Sequence, residues 1–461
     1  VIERIDYSGE LTDRLALGDR LHAAGLGRAA SARRAELLAT AAAAWKAARP
    51  APTARPKGFF VPGRIEVLGK HTDYAGGQTM VVAAERGFSL VVSPRSDPLV
   101  VVIDAVRREA AGFELAPGLV PRLGHWSNYP ATVARRIARN FPGACRGATI
   151  VLASDLPPAA GMSSSSAFIV AGFLALAEVN GLANRREFQD NVHDPTDLAG
   201  YLATIENGQT FGSLAGDRGV GTFGGSEDHT AILCGRPGQI SQYAYCPVRF
   251  QRTIPVPPGY TLAVGVSGVV AEKTGAAREK YNAASRLAAM LVELWRRATG
   301  RSDPHLAAVL AGGPDAAERL RQAVATAEDG GLDRQALLRR LDHFLVENER
   351  VLPAAGEALA RGDLGEFGAL VDRSQRAAEE LLGNQVPETS RLAASARSLG
   401  AAAASAFGAG FGGSVWALVE TARADEFLRA WAESYRARFP ERAPRSDFFV
   451  TGAGPAALQV G

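Results

Sequence analysis

Cysteine is scarce in this 461-residue chain: Cys145, Cys234 and Cys246 are the whole complement, odd in number and without metal-ligand spacing. That argues against a disulfide framework and a structural zinc site, and a reducing cytoplasm is the expected setting. The seven histidines form no H-x-x-H or H-E-x-x-H pattern, so catalytic zinc is not expected. Neither charge sign dominates, with 51 basic residues against 48 acidic ones. Such a balance supplies no field for nucleic acid or a membrane surface, and neither is expected as a partner. No apolar run is long enough to span a bilayer, no secretory signal is visible, and there is no internal repeat. What remains is ordinary globular composition in a chain long enough for two or three domains.

The most informative stretch is 156–168. There Gly161, Met162 and four consecutive serines, Ser163, Ser164, Ser165 and Ser166, join an apolar β-branched run (148–153) to an Ala/Leu-rich helical run (168–177). A small-residue loop entering a helix offers backbone N–H groups and a partial positive charge to an anion. Its hydroxyls suit phosphate oxygens or a hard cation such as Mg²⁺. A serine-rich helix cap would read the same way from this segment alone. The Gly-Lys-Ser/Thr of a Walker A loop does not follow.

Residues 1–56 read as an N-terminal helical extension and a proline-broken linker whose part is packing. From Phe59, strand-like runs surround Pro62-Gly63. Arg64, Lys70, His71 and Asp73 then fall within ten residues, either a polar pocket floor or a solvated loop. Strands are expected at 80–84, 88–93 and 99–106. A helix is expected from Trp126 through Ile137, with Trp126 and Tyr129 reading first as core and second as walls of a purine pocket. A helical pattern over 185–210 ends near Glu206, and a glycine-rich run leads to Asp228, either a turn former or a catalytic carboxylate. Prolines over 240–260 mark the expected boundary between domains at 57–250 and 251–461. Beyond it come a strand at 261–267, a helix at 273–294, long helices over 302–383, and a second glycine loop with Gly410, Gly412 and Gly413. A strand, a helix and a strand finish the chain. Clustered strands and helices imply two α+β domains.

Three segments, in order across roughly 57–455, resemble motifs of the GHMP kinases, and of galactokinases in particular. Residues 62–74 resemble P-G-R-x-N-L-I-G-E-H-x-D-Y, residues 156–167 the phosphate loop P-x-G-x-G-L-S-S-S-A, and residues 407–414 the G-x-G-F-G-G loop. The segment from Val269 to Asn282 is similar to one that carries a sugar-contacting tyrosine, here Tyr281. The resemblance implies a two-domain α+β fold: a ribosomal-S5-like N-terminal domain, a ferredoxin-like C-terminal domain, and the active site between them. It implies a sugar 1-kinase using ATP and Mg²⁺, with a monosaccharide as its partner and its oligomeric state left open. Asp228, in a segment resembling G-x-M-D-Q, would be the base, and Arg64 would pair with it and stabilise the transferred phosphoryl group. Lys70, His71, Asp73 and Tyr281 would bind the sugar. Gly161, Met162, Ser163, Ser164, Ser165, Ser166, Trp126 and Tyr129 would hold the nucleotide, with Ser165 and Glu206 as metal ligands. Gly410, Gly412 and Gly413 would close the second loop beside the site.

The departures bear on the substrate. Lys70 stands where galactokinases carry a glutamate that touches the exocyclic end of the sugar. A cation there suits an acidic or phosphorylated sugar, unless Lys70 pairs with Glu66 or Asp73 or points to water. Glu66 replaces an asparagine and His229 a glutamine. Ala159 and Ala160 replace glycines, tolerable unless φ is positive there. Ser166 replaces an alanine, and the 22 residues from Glu206 to Asp228 exceed the galactokinase pattern. A non-catalytic sugar sensor is the competing reading; the serines, Glu206, Arg64 and Asp228 favour an enzyme. A kinase for a small non-sugar alcohol is a third, against which the segment 71–74 argues.

Overall fold

The strand Lys57–Leu68 and the strand Gln78–Pro94 pair antiparallel and form the spine of the molecule. A computed structural model of the chain describes residues 2–48, 55–270, 275–328 and 331–461. The two strands expected at 80–84 and 88–93 are one, because Gly87 does not interrupt the ladder. A Cβ at Gly87 would lie 2.3 Å from the Val61 carbonyl oxygen, so glycine is what allows the backbones to pass this closely. Around this pair runs a ten-stranded mixed sheet. Its main path is Glu3–Ile5, Leu458–Val460, Lys57–Leu68, Gln78–Pro94, Ala148–Ser154, Leu99–Asp104 and Glu109–Glu114. Strand alternation sends Phe59, Ile65, Leu90 and Leu152 to one face and Phe60, Val91 and Val151 to the other. The first face is covered by the helix Ser164–Asn180 and the helix Glu227–Cys234. The second is covered by the N-terminal helices Arg14–Ala23 and Arg28–Ala47, which bury Leu17, Leu21 and Leu38 there. The linker expected after them lies at 49–54, outside the described residues.

A second, four-stranded antiparallel sheet has the order Ala403–Phe407, Ser414–Glu420, Tyr260–Val266, Asp447–Thr451. The helices Pro387–Ser398 and Ala424–Arg438 cover one of its faces through Leu392, Phe427 and Trp431. Between Tyr260–Val266 and Ala403–Phe407 the chain is helical. The helix expected from 273 begins at Gly275 among the described residues and packs Leu291 and Trp295 against Leu337 and Phe344. Two π-helical turns, Leu345–Val351 and Ala378–Leu382, interrupt the later helices. No helix among the described residues is long and apolar enough to cross a membrane.

The expected boundary at 250/251 falls inside a strand. Arg249–Pro255 pairs with Gln239–Ala244 as part of the larger sheet. The chain also returns: after Asp447–Thr451 in the smaller sheet, Ala453–Gly454 pairs with Ala84 and Ala83 in the larger one. Prolines at 255, 257 and 258 mark the end of that edge strand, where a missing N–H costs no ladder bond, rather than the start of a linker. The extension is tied in as well, since Glu3–Ile5 pairs parallel with Leu458–Val460.

Leu38 is fully buried between the N-terminal helices and the sheet. Leu38→Ala is expected to lower the unfolding free energy by about 2–5 kcal/mol, read by urea titration. A change below about 0.5 kcal/mol would mean that the extension is not part of the cooperative core.

Candidate active site

Arg64 sits where the larger sheet meets two loops and a helix start, and it is only 4% exposed. Its Nε donates to Asp228 Oδ1 at 2.7 Å, and its Nη2 lies 2.6 Å from the same oxygen. Its Nη1 donates to the Gly161 carbonyl at 2.7 Å. Burial alone would push the guanidinium down; the charges of Asp228, Glu227 and Glu66 more than offset this and hold it above its ordinary value. The expected pairing of residues 164 positions apart is therefore present.

On one side of Arg64 lies a cavity of about 400 Å³. Gly161, Ser163, Ser164 and Ser165 line it, and so do Trp126 and Tyr129. Trp126 stacks on Phe168 at 6.0 Å and 14°, and Phe168 stacks on Phe88 at 5.3 Å, giving the cavity a flat apolar wall. The pocket-wall reading of Trp126 and Tyr129 thus describes them better than the core reading. The helix expected from Trp126 begins at Asn128. Ser163 occupies the cap position of the helix Ser164–Asn180 at φ +58°, yet its side chain makes no capping bond. Its Oγ is buried without a hydrogen-bond partner. A capping role is thereby excluded, and the hydroxyl and the first N–H groups of the helix are left for a ligand in the cavity. Ala159 has φ +49°, the left-handed region its glycine counterpart would enter freely, whereas Ala160 does not.

Two expected nucleotide contacts are not in this cavity. Met162 is 1% exposed and serves through its carbonyl, which accepts Arg64 N–H at 3.3 Å. Ser166 is fully buried, and its Oγ is bonded to Glu206 Oε2 at 2.7 Å and to Asp228 Oδ2 at 3.1 Å. Ser165, expected beside Glu206, lines the cavity instead. The helix begins at Ser164, so successive serines point about 100° apart and only Ser166 turns inward.

On the other side of Arg64 is a smaller polar pocket lined by His71, Asp73, Tyr281, Glu66, Glu206, Glu227 and Asp228. His71 is held by Tyr74 Oη at 2.9 Å and by the Ala409 carbonyl at 3.2 Å, with the Tyr281 ring 5.4 Å away. Asp73 accepts the Glu227 backbone N–H at 3.1 Å. Burial raises the Asp73 carboxyl, with hydrogen bonds from Glu227 and Tyr74 N–H pulling the other way. Glu66 and Glu227 were not singled out as pocket residues from the sequence. Glu66 shares a strand face with Arg64 two residues earlier, a signal that was available; Glu227 adjoins Asp228 in the helix start. Burial pushes Glu66 up to about 7 and Glu227 well above the usual range, with their mutual repulsion adding to the rise in Glu227.

Lys70 is absent from this pocket. It is 1% exposed, and its Nζ donates to Ser374 Oγ at 2.9 Å. Ser374 in turn donates to Glu347 Oε1, which also accepts Gly69 N–H at 2.7 Å and Lys70 N–H at 3.2 Å. Neither a sugar-binding role nor an ion pair with Glu66 or Asp73 describes it.

The second glycine loop closes over the first. Ser414 Oγ donates to the Ala160 carbonyl at 2.6 Å, and a Cβ at Gly413 would lie 3.3 Å from that same oxygen. Gly410 and Gly412 serve other approaches: their Cβ atoms would lie 2.4 Å from Asn384 O and 2.7 Å from Val269 O. Ala409 lines both cavities.

Comparison with known proteins accords with this geometry. Family models for the GHMP kinases N terminal domain, the GHMP kinases C terminal region and the galactokinase galactose-binding signature match residues 128–217, 356–437 and 52–94. The galactokinase of Chloroflexus aggregans is 30% identical over 384 residues, covering 82% of this chain and 87% of that protein. The galactokinase of Actinobacillus pleuropneumoniae serotype 5b is 27% identical over 382 residues, with coverages of 82% and 88%. Among solved structures, Lactococcus lactis galactokinase complexed with galactose superposes with a TM-score of 0.70 at 21% identity, covering 87% of this chain and 95% of that one. Methanococcus jannaschii mevalonate kinase gives 0.55 at 14%, with coverages of 87% and 99%. The chain belongs to the GHMP kinases, in their galactokinase family, and is an ATP-dependent sugar kinase.

Proposed function

We propose that the protein transfers the γ-phosphoryl group of ATP to the anomeric hydroxyl of a monosaccharide that carries no negative charge. The observation that carries this reading is the position of Arg64, which lines both cavities while gripping Asp228. ATP lies in the larger cavity, its base against Trp126 and its phosphates at the serine run. The sugar lies in the smaller pocket among His71, Asp73 and Tyr281. Asp228 accepts the proton of the anomeric hydroxyl as that oxygen bonds to the γ-phosphorus, and the bond from phosphorus to the β–γ bridging oxygen of ADP breaks. Arg64 faces the phosphoryl group in flight and stabilises its charge. Asp228→Asn keeps the shape and removes the base; kcat is expected to fall by about 10²–10⁴-fold in a coupled ADP-release assay. A variant with more than a tenth of the parent kcat would remove Asp228 from this role.

Mg²⁺ fits the residues present. Glu206 and the hydroxyls of the run 163–166 are hard oxygen donors, and Ser166 already bonds Glu206. When bound, the ion would neutralise phosphate charge, and Glu206 and the hydroxyls of the run 163–166 would hold it.

Exclusion of acidic sugars follows from the pocket's own charge. Among the described residues, Glu66, Asp73, Glu227 and Asp228 line it against Arg64 alone of the Lys and Arg side chains. A carboxylate or phosphate on the sugar would be repelled there, and Lys70 is turned away. Lys70→Met is therefore expected to leave the ratio of neutral to uronic-acid turnover unchanged while lowering stability by about 1–3 kcal/mol, because Ser374 Oγ loses its buried donor and Glu347 the charge relayed through it. A shift of that ratio by more than about threefold, measured over a sugar panel, would return Lys70 to the substrate site.

A further inference from the structure

Most polar groups of the sugar pocket already have work in the reaction described above. Asp228 takes the reacting proton, Glu206 faces the serine run, and Asp73 is fixed by the Glu227 backbone N–H. Glu66 and Glu227 have none. They are 2% and 5% exposed and both line the pocket. No N–H or hydroxyl donates to Glu66 Oε1 or Glu227 Oε1. Arg64 Nε lies 3.1 Å from Glu227 Oε1 but aims its proton at Asp228, and Nη1 is engaged by Gly161. The two carboxyls are near enough to perturb each other: burial raises both, and the charge of Glu66 adds to the rise in Glu227. Among the described residues, the other charges facing the pair are Arg64, Lys70, Glu347, Asp73 and Asp228, so acid exceeds base around it. In the galactokinase motifs quoted above, the corresponding positions hold asparagine and methionine. This chain has thus put two carboxyl groups where that pattern has neutral side chains.

We propose that Glu66 and Glu227 form a cation subsite beside the reacting hydroxyl, and that the substrate is a monosaccharide with a free amino group on the carbon next to the phosphorylated one. This rests on the sugar-kinase reading and narrows its substrate. The adjacency comes from Arg64 Nε, which lies 2.7 Å from Asp228 Oδ1 and 3.1 Å from Glu227 Oε1. A hydroxyl held by Asp228 therefore places its neighbouring substituent at Glu227. An ammonium there brings three donors and a second positive charge to oxygens that accept no hydrogen bond. A hydroxyl brings one donor and no charge, so the buried acid excess persists.

The test uses the full chain with Mg-ATP at neutral pH and measures ADP release with D-galactose and D-glucose, their 2-amino-2-deoxy forms and their N-acetylated forms. The acetylated sugars carry nitrogen at the same carbon without charge. The expected result is a kcat/KM at least about tenfold higher for an aminated sugar than for its parent or its acetylated form, a difference of about 1.4 kcal/mol. In Glu66→Asn, Glu227→Met and the double variant, that preference is expected to shrink below about twofold. Should these variants fail to fold, the wild-type melting temperature with each sugar in the absence of ATP decides: the aminated sugar raises it and the acetylated sugar does not. Turnover of parent sugars equal to or above that of aminated ones overturns the cation subsite and leaves the kinase assignment standing. Absence of turnover with every sugar overturns both.

Discussion

The grip of one guanidinium on a carboxylate and a loop carbonyl is the interaction on which the site depends. Arg64 is planar, permanently charged and almost out of contact with water, so its donors point in fixed directions and must be met. Asp228 meets Nε and Nη2, the Gly161 carbonyl meets Nη1, and the Phe407 ring lies 5.9 Å beneath. Three segments far apart in sequence are thereby fixed to one group: the start of the helix Glu227–Cys234, the phosphate loop, and the strand leading into the second glycine loop. Loss of any partner would leave a charge buried without its counterpart, which is far more costly than never having buried the pair. The same constraint that holds the loops together therefore places a cation between the two cavities.

Backbone strain gathers at the same place. Among the described residues, six without a glycine's freedom have positive φ, and four of them, His71, Ala159, Ser163 and Phe411, belong to the loops around the two cavities. Each costs on the order of 1–3 kcal/mol and persists only where the surroundings fix it. Here the fixing is visible. His71 is bonded at both ring nitrogens, Phe411 N–H donates to the Asn384 carbonyl, and Ser163 is followed at once by a helix packed on the central strands. The glycines of the second loop add the other half of the arrangement, since their neighbours leave no room for a Cβ. Two loops so closely apposed hold cavity walls in place before a ligand arrives, which lowers the ordering cost of binding.

Contacts encoded by local pattern were legible in the sequence, and contacts made by distant partners were not. The serine loop between strand and helix and the polar run 64–73 could be read because each is a short motif with its own chemistry, whereas the Arg64–Asp228 pairing, across 164 positions, came only from the resemblance of both segments to galactokinase motifs. The choice between Ser165 and Ser166 could not, because it turns on which residue begins the helix, and one position rotates the side chain by about 100°. The long strand Gln78–Pro94 was split in two at a glycine whose justification, the Val61 carbonyl, lies on another strand. The boundary at 250 failed for a similar reason: prolines that end an edge strand look, from sequence, like those that begin a linker. Glu66 was noticed as a departure and not as a pocket residue, since its partner Glu227 lies 161 positions away.

Lys70 shows most clearly why a motif position does not carry a role by itself. The strand Lys57–Leu68 ends just before it, and Gly69 turns the chain at φ +104°. Glu347, presented by the π-helical turn Leu345–Val351, captures the N–H groups of both Gly69 and Lys70 and so fixes the direction in which residue 70 leaves the strand. Ser374, 304 residues along the chain, then receives the ammonium. A π turn carries one extra residue in its ring, which re-aims a side chain that a regular helix would place elsewhere. The cation is thus kept out of the smaller pocket by a helical segment that does not line it. Among the described residues, what lines the smaller pocket is Arg64 and a set of carboxyl groups, so its charge is set by residues such as Glu66 on the strand and Glu227 on the helix, and not by the lysine that departs most visibly from the family pattern.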